Sequence, residues 1–255
     1  MRARGAFRRL ARRAPGHTSR CWLYRLGGVK TGKGVSIAKG VGLGSGVRIG
    51  QNARIGPEVT IGNAAVIGKG VEIRKGALIG PRAVIGEGAI IGENARVQDC
   101  SIGGHSLIEI GVIFTGSGDN WITIGEHCYL GIYAVLDGSG GLEIGDFVHV
   151  AGPSVGIWTH TSVYECLGGD GSEDRSKKVA ARVRIESNVW VGGNTTIYPG
   201  VTVGHHAVIL PNSAVDKDVA SFSMVGGVPA KLKRLVEMGD EGARFAKAPT
   251  VDMVM

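Results

Sequence analysis

Residues 47–67 read Val47-Arg48-Ile49-Gly50-Gln51-Asn52-Ala53-Arg54-Ile55-Gly56-Pro57-Glu58-Val59-Thr60-Ile61-Gly62-Asn63-Ala64-Ala65-Val66-Ile67. An aliphatic residue returns at every sixth place, and a small or branched apolar residue stands two places before it. Followed outward, the pattern runs without a slip through Ile37, Leu43, Ile49, Ile55, Ile61, Ile67, Ile73, Ile79, Ile85, Ile91 and Val97. Glycine directly follows eight of these eleven, which permits a tight corner. Residues two apart on an extended chain share a face, so each hexapeptide reads as a short strand with two inward side chains, followed by a corner. A six-residue period does not keep one face of a 3.6-residue turn, which excludes helices. One hexapeptide cannot bury its inner face alone. Stacked coils can, with parallel ladders about 4.8 Å apart around an aliphatic column.

The register breaks after Val97 and resumes at Ile124, Leu130 and Leu136, then at Ile144 and Val150. It slips by one residue at Ile157, and a third block restores it at Ile185, Val191, Ile197, Val203, Ile209 and Val215. Between the last two blocks, residues 158–182 form an excursion holding Gly168, Gly169, Asp170, Gly171, Ser172, Glu173 and Asp174. Long departures from a rigid solenoid are usually functional. The organisation expected is a basic N-terminal segment over 1–33, a repeat solenoid over 34–218 and a C-terminal tail over 219–255 with a helix from Ala230 to Phe245.

Composition agrees with such a column. Glycine accounts for 44 of 255 residues and aromatics for only 5%. With 43% hydrophobic and 20% charged residues, disorder is disfavoured. The net charge of +7 is uneven: residues 1–57 hold 13 Lys or Arg and no acid, and the remainder holds 16 basic and 22 acidic side chains. The basic character therefore belongs to one end, and nucleic acid is not the expected partner. Ala3, Ala6, Phe7, Leu10 and Ala11 fall at helical spacing among Arg4, Arg8, Arg9, Arg12 and Arg13, ahead of Pro15-Gly16. This short amphipathic helix suits either a lid over the end of the solenoid, with Trp22, Leu23 and Leu26, or contact with an anionic membrane surface. Cys21, Cys100, Cys128 and Cys166 are scattered, so neither a disulfide framework nor a zinc site is signalled, and a cytoplasmic setting is the default.

The repeat over residues 34–218 resembles that of the hexapeptide-repeat acyltransferases, and the resemblance implies an all-β fold, a left-handed parallel β-helix with short helical N- and C-terminal segments. Two stretches are similar to the galactoside and maltose O-acetyltransferase branch, with its sugar and polysaccharide acetyltransferases. One is Gly152-Pro153-Ser154-Val155-Gly156-Ile157-Trp158-Thr159-His160, with Val183 through Trp190-Val191-Gly192-Gly193 after the excursion. The other runs from Tyr198-Pro199-Gly200 through Lys217-Asp218-Val219 to Gly226-Gly227-Val228-Pro229-Ala230-Lys231.

The resemblance implies that His160 is the general base, activating a hydroxyl of a sugar or glycan toward acetyl-CoA. A neutral imidazole suits that task near pH 7. It places the CoA phosphates by Lys217, Lys231 and Arg234 and the pantetheine groove by Trp190 and Gly193, and it implies a homotrimer with sites between subunits. In the acceptor region, Leu130 to Leu136, Asp137 is the nearby carboxylate and is assigned to the acceptor, while Glu165 is a candidate to orient His160. His105, His127, His205 and His206 fall at repeat corners and His149 on an outward strand position. No metal is expected, since His149 and His160 lack the spacing of the zinc ligands in γ-class carbonic anhydrases. The alternatives are an N-acetyltransferase of a nucleotide-linked amino sugar and a non-catalytic β-helical scaffold.

Overall fold

Each strand meets its counterpart one coil on. Arg48 and Ile49 pair with Val66 and Ile67, Arg54 and Ile55 with Glu72 and Ile73, and Thr60 and Ile61 with Leu78 and Ile79, all in parallel. The backbone ladder follows directly, for example Arg48 N to Ala65 O at 3.0 Å and Gly50 N to Ile67 O at 2.8 Å. In this computed structural model, which describes residues 2–116, 120–168, 179–239 and 242–245, three consecutive strands form the three faces of a coil. Nine strands stack on the first face, ten parallel strands on the second and nine on the third. The product is the all-β solenoid that the sequence predicted. Its interior is one aliphatic column running from Ala11 to Val225. The corner glycines answer to coil stacking: a Cβ on Gly50 would stand 2.6 Å from the Gly68 carbonyl carbon of the next coil.

The structure accounts for two irregularities of the repeat. The break in register after Val97 is not a break in the solenoid. Strands Cys100–Ile102, Leu107–Ile108 and Ile113–Thr115 form a full coil that the strict period hid, because Ile85 pairs with Ile102 at an offset of 17 residues instead of 18. The one-residue slip at Ile157 leaves the ladder intact, since Ile157 pairs with Leu136 below and Ile197 above. Three successive coils carry surplus residues, and most of the surplus leaves at the corner joining the third face to the first: 116–121, 137–141 and 158–182.

At the N-terminal end, helix α1 (Arg2–Arg13) and helix α2 (His17–Leu26) cover the first coil. Strand amides of each coil donate to the coil above, so the carbonyls of the first coil have no coil below to satisfy them. Arginine, rich in donors and without an acceptor, answers that need. Arg20 Nε donates to Ile37 O at 2.8 Å, Arg12 Nε to Gly40 O at 3.0 Å, and the Tyr24 hydroxyl to Val41 O. Burial pushes the Tyr24 phenol up to about 12, with Arg12 and Arg20 opposing. Both helices thus lie over the first coil.

The C-terminal helix expected over Ala230–Phe245 is not formed. Lys231–Gly239 is a strand running antiparallel to Ser223–Gly226, and Gly242–Phe245 pairs back on it. The open edge left by Ser223–Gly226 explains the difference, because pairing it satisfies backbone groups that an isolated helix would leave bare. Along Lys231–Gly239, Leu232, Leu235 and Met238 are exposed and Val236 is buried. Among the described residues no helix is long and apolar enough to cross a membrane.

Candidate active site

The corner between the third and first faces gathers the chemistry. Strand Val135–Asp137 ends the third face of the sixth coil, and Gly138-Ser139-Gly140-Gly141 turns the corner. Directly above, Gly156–Ile157 pairs with Val135 and Leu136, so the chain arrives at Trp158, Thr159 and His160 on top of Asp137. Asp137 is 0% exposed. Its Oδ2 accepts from Thr159 N at 3.0 Å, Thr159 Oγ1 at 2.7 Å and His160 Nδ1 at 2.6 Å. Its Oδ1 accepts from Ser139 Oγ at 2.8 Å and Ser139 N at 3.2 Å. Burial alone would raise this carboxyl, yet the bonds from Thr159, His160 and Ser139 together outweigh it and bring it down to about 2. An ionised carboxylate only accepts, so Nδ1 of His160 carries a hydrogen, and in the neutral ring the lone pair is then on Nε2. The imidazole is 26% exposed, leaving an edge open to a ligand.

The corner glycines make this approach feasible. A Cβ on Gly140 would lie 2.3 Å from Thr159 O and 2.8 Å from Ala181 N, so only glycine lets the two coils close here. Gly140 N also donates to Thr159 Oγ1 at 2.8 Å, which orients that hydroxyl toward Asp137. The excursion leaves and returns through a narrow neck. His160–Thr161 pairs antiparallel with Val179–Ala180, and Ala181 N donates to Thr159 O at 2.9 Å. Helix α3 (Val163–Gly168) follows the outgoing arm. Glu143 anchors the returning arm, with Arg182 and Arg184 each 2.7 Å from its two oxygens.

Asp137, assigned from the sequence to the acceptor, is corrected on this geometry: a carboxylate with no exposure and five close hydrogen-bond donors has nothing left for a sugar. It orients His160, the role considered for Glu165, whose side chain lies outside the described residues. Thr159, Ser139 and Gly140 escaped sequence reading. The available signal was the insertion of extra residues at one corner in successive coils.

The donor candidates lie elsewhere. Lys217 sits at the same corner two coils beyond His160, about 10 Å along the axis. It lines a cavity of about 280 Å³ with Asp216, Asp218, Ala230 and Leu232. Lys231 and Arg234 are exposed on the fold-back strand. Trp190, exposed, lies on the second face between His149 and Val208, and Gly193 stacks on Pro153 at the corner joining the second and third faces. One chain therefore does not collect Trp190 and Gly193 beside His160. Three other histidines sit in ring stacks: His105, His127 and Phe147 at 5.2 and 5.0 Å, and His206 on Phe222 at 5.0 Å. Among the described residues no group of three or more His, Cys, Asp or Glu could hold a metal ion.

The family model for bacterial transferase hexapeptide (six repeats) matches residues 28–63, 64–99 and 182–217. A chloramphenicol acetyltransferase from Klebsiella aerogenes is 44% identical over 52 residues, 20% of this chain and 25% of that protein. One from Escherichia coli is 49% identical over 47 residues, 18% and 22% respectively. The chain thus spans about a quarter of the length of these curated relatives. Among solved structures, LpxA from Acinetobacter baumannii superposes with a TM-score of 0.53 at 22% identity, covering 80% of this chain and 74% of that one. A UDP-N-acetylglucosamine acyltransferase gives 0.54 at 23% identity, covering 82% and 70%. These two likenesses show the β-helix fold.

Proposed function

We propose that the chain, which matches the bacterial transferase hexapeptide model over residues 28–63, 64–99 and 182–217, is a CoA-dependent O-acetyltransferase acting on a hydroxyl of a sugar or glycan. The observation that carries the reading is the Asp137–His160 pair at the neck of the excursion, 2.6 Å apart. A sugar hydroxyl is a poor nucleophile at neutral pH. Nε2 of His160 takes its proton as the oxygen attacks the thioester carbonyl of acetyl-CoA. The tetrahedral adduct then collapses, the C–S bond breaks, and the imidazolium returns the proton to the departing thiolate, giving an acetyl ester and free CoA. Such proton transfer contributes about 10² to 10⁴ in rate. Asp137 stays ionised throughout. It fixes the tautomer and favours the imidazolium, with Thr159 and Ser139 holding the carboxylate in place.

In this reading Lys217, Lys231 and Arg234 meet the CoA phosphates, and Trp190 and Gly193 line the pantetheine groove. Because the last two stand away from His160 within one chain, the reading includes a homotrimer in which a second copy brings them to the base. The test supplies acetyl-CoA with a panel of sugars, amino sugars and oligosaccharides and follows thiol release, with alkali treatment of the product. Release with an alkali-labile product supports an ester. An alkali-stable product from amino sugars alone points to the amide, and no release with any acceptor points to a scaffold.

A further inference from the structure

The charge of the N-terminal helices exceeds what capping the solenoid requires. Of their arginines, Arg8 donates to Gly27 O at 2.8 Å, while Arg12 and Arg20 serve carbonyls of the first coil. Arg25 turns to Thr31 Oγ1 at 2.6 Å. Arg4, Arg9 and Arg13 are exposed, and among the described residues no arginine of α1 or α2 forms an ion pair. No acid occurs before Glu58, so no nearby carboxylate in sequence offsets them. The same helices leave large apolar side chains in solvent: Leu10 is 58% exposed, Trp22 60% and Leu26 40%. Trp22 and Leu26, four apart on α2, share one side of that helix, opposite buried Tyr24. Their burial is not needed by the core, which Ala11, Leu23 and Tyr24 already seal.

Unneutralised arginines beside an exposed tryptophan and leucines match an interface with anionic headgroups outside and acyl chains just beneath. We infer that the outer face of the helical cap binds the surface of an anionic lipid bilayer, through Arg4, Arg9 and Arg13 to headgroup phosphates and through Leu10, Trp22 and Leu26 to the acyl boundary. The cap closes one end of the solenoid, and His160 lies in the seventh coil. With the axis normal to the bilayer, six coil spacings lift the catalytic corner about 29 Å from the cap. The acceptor chemistry that fits such a height is a glycan extended from a lipid anchor.

The experiment is co-sedimentation of the full chain with mixed phosphatidylglycerol–phosphatidylcholine vesicles and with pure phosphatidylcholine vesicles. The expected result is binding to the anionic vesicles only, weakened by salt. The Arg9→Gln/Arg13→Gln variant, whose side chains touch nothing in the core, is expected to bind about 30-fold more weakly. Trp22→Ser is expected to lose binding while retaining its thermal unfolding midpoint. Equal binding to both vesicle types, no binding to either, or retention on heparin beads without vesicle binding would each overturn the proposal. Acetyl transfer to soluble sugars is unaffected in either case, so failure here leaves the enzymatic reading standing.

Discussion

Replacing Asp137 by Asn tests the source of the imidazole's orientation. In the native chain the carboxyl lies near 2 against an ordinary value of 3.8, a difference worth about 2 kcal/mol in favour of the folded state. Because the folded value is the lower one, that stabilisation is fully present above about pH 4 and disappears as the pH falls through about 2. An Asn in the same place presents one amide nitrogen to a ring of donors: His160 Nδ1, Thr159 N and Oγ1, and Ser139 N and Oγ. A buried donor left facing a donor costs about 1 to 3 kcal/mol more. Urea unfolding of wild type and Asp137→Asn at pH 7 is therefore expected to differ by about 3 to 5 kcal/mol, and the gap should narrow by about 2 kcal/mol below pH 2. Turnover at pH 7 is expected to fall by about 10² to 10⁴, since an amide no longer fixes Nδ1 as the donor. A gap that stays constant from pH 7 to below pH 2 would refute the claim that an ionised Asp137 holds this corner together.

Gly140→Ala forces a methyl to within 2.3 Å of Thr159 O, so the neck of the excursion must shift. Acetyl transfer is expected to drop at least tenfold with only a modest loss of stability, a split that paired kinetics and thermal melts would expose. Ile91→Ala empties the column between Ile73 and Ile108, and urea titration should show a loss of about 2 to 5 kcal/mol. Lys217→Ala and Lys231→Ala are expected to raise KM for acetyl-CoA with kcat little changed, and an unaltered KM in both would remove them from the donor site.

The stacked hexapeptides were legible because one inward aliphatic per six residues is an unavoidable signature of a flat-sided coil. The coil from Cys100 to Thr115 was not, since a single residue missing between Val97 and Ile102 destroys the period without disturbing the ladder. Shortening a corner costs the backbone little, whereas sequence periodicity is measured through that corner. The helix expected from Ala230 to Phe245 is instead a strand and its return. The deciding factor was an unpaired sheet edge hundreds of residues in the making, which local propensity does not register. His160 was a candidate through the family resemblance of residues 152–160. Its partner was not, because Asp137 stands 23 residues away and is brought beneath it only by coil pairing between Leu136 and Ile157.

The most direct measurement compares initial rates of CoA release by wild type and His160→Ala, with acetyl-CoA and the best acceptor in the panel, both proteins being matched for thermal stability. Wild-type turnover with a loss of about 10² to 10⁴ in the variant is the result expected if the Nε2 lone pair removes the hydroxyl proton. A His160→Ala protein that works as fast as its parent would contradict it.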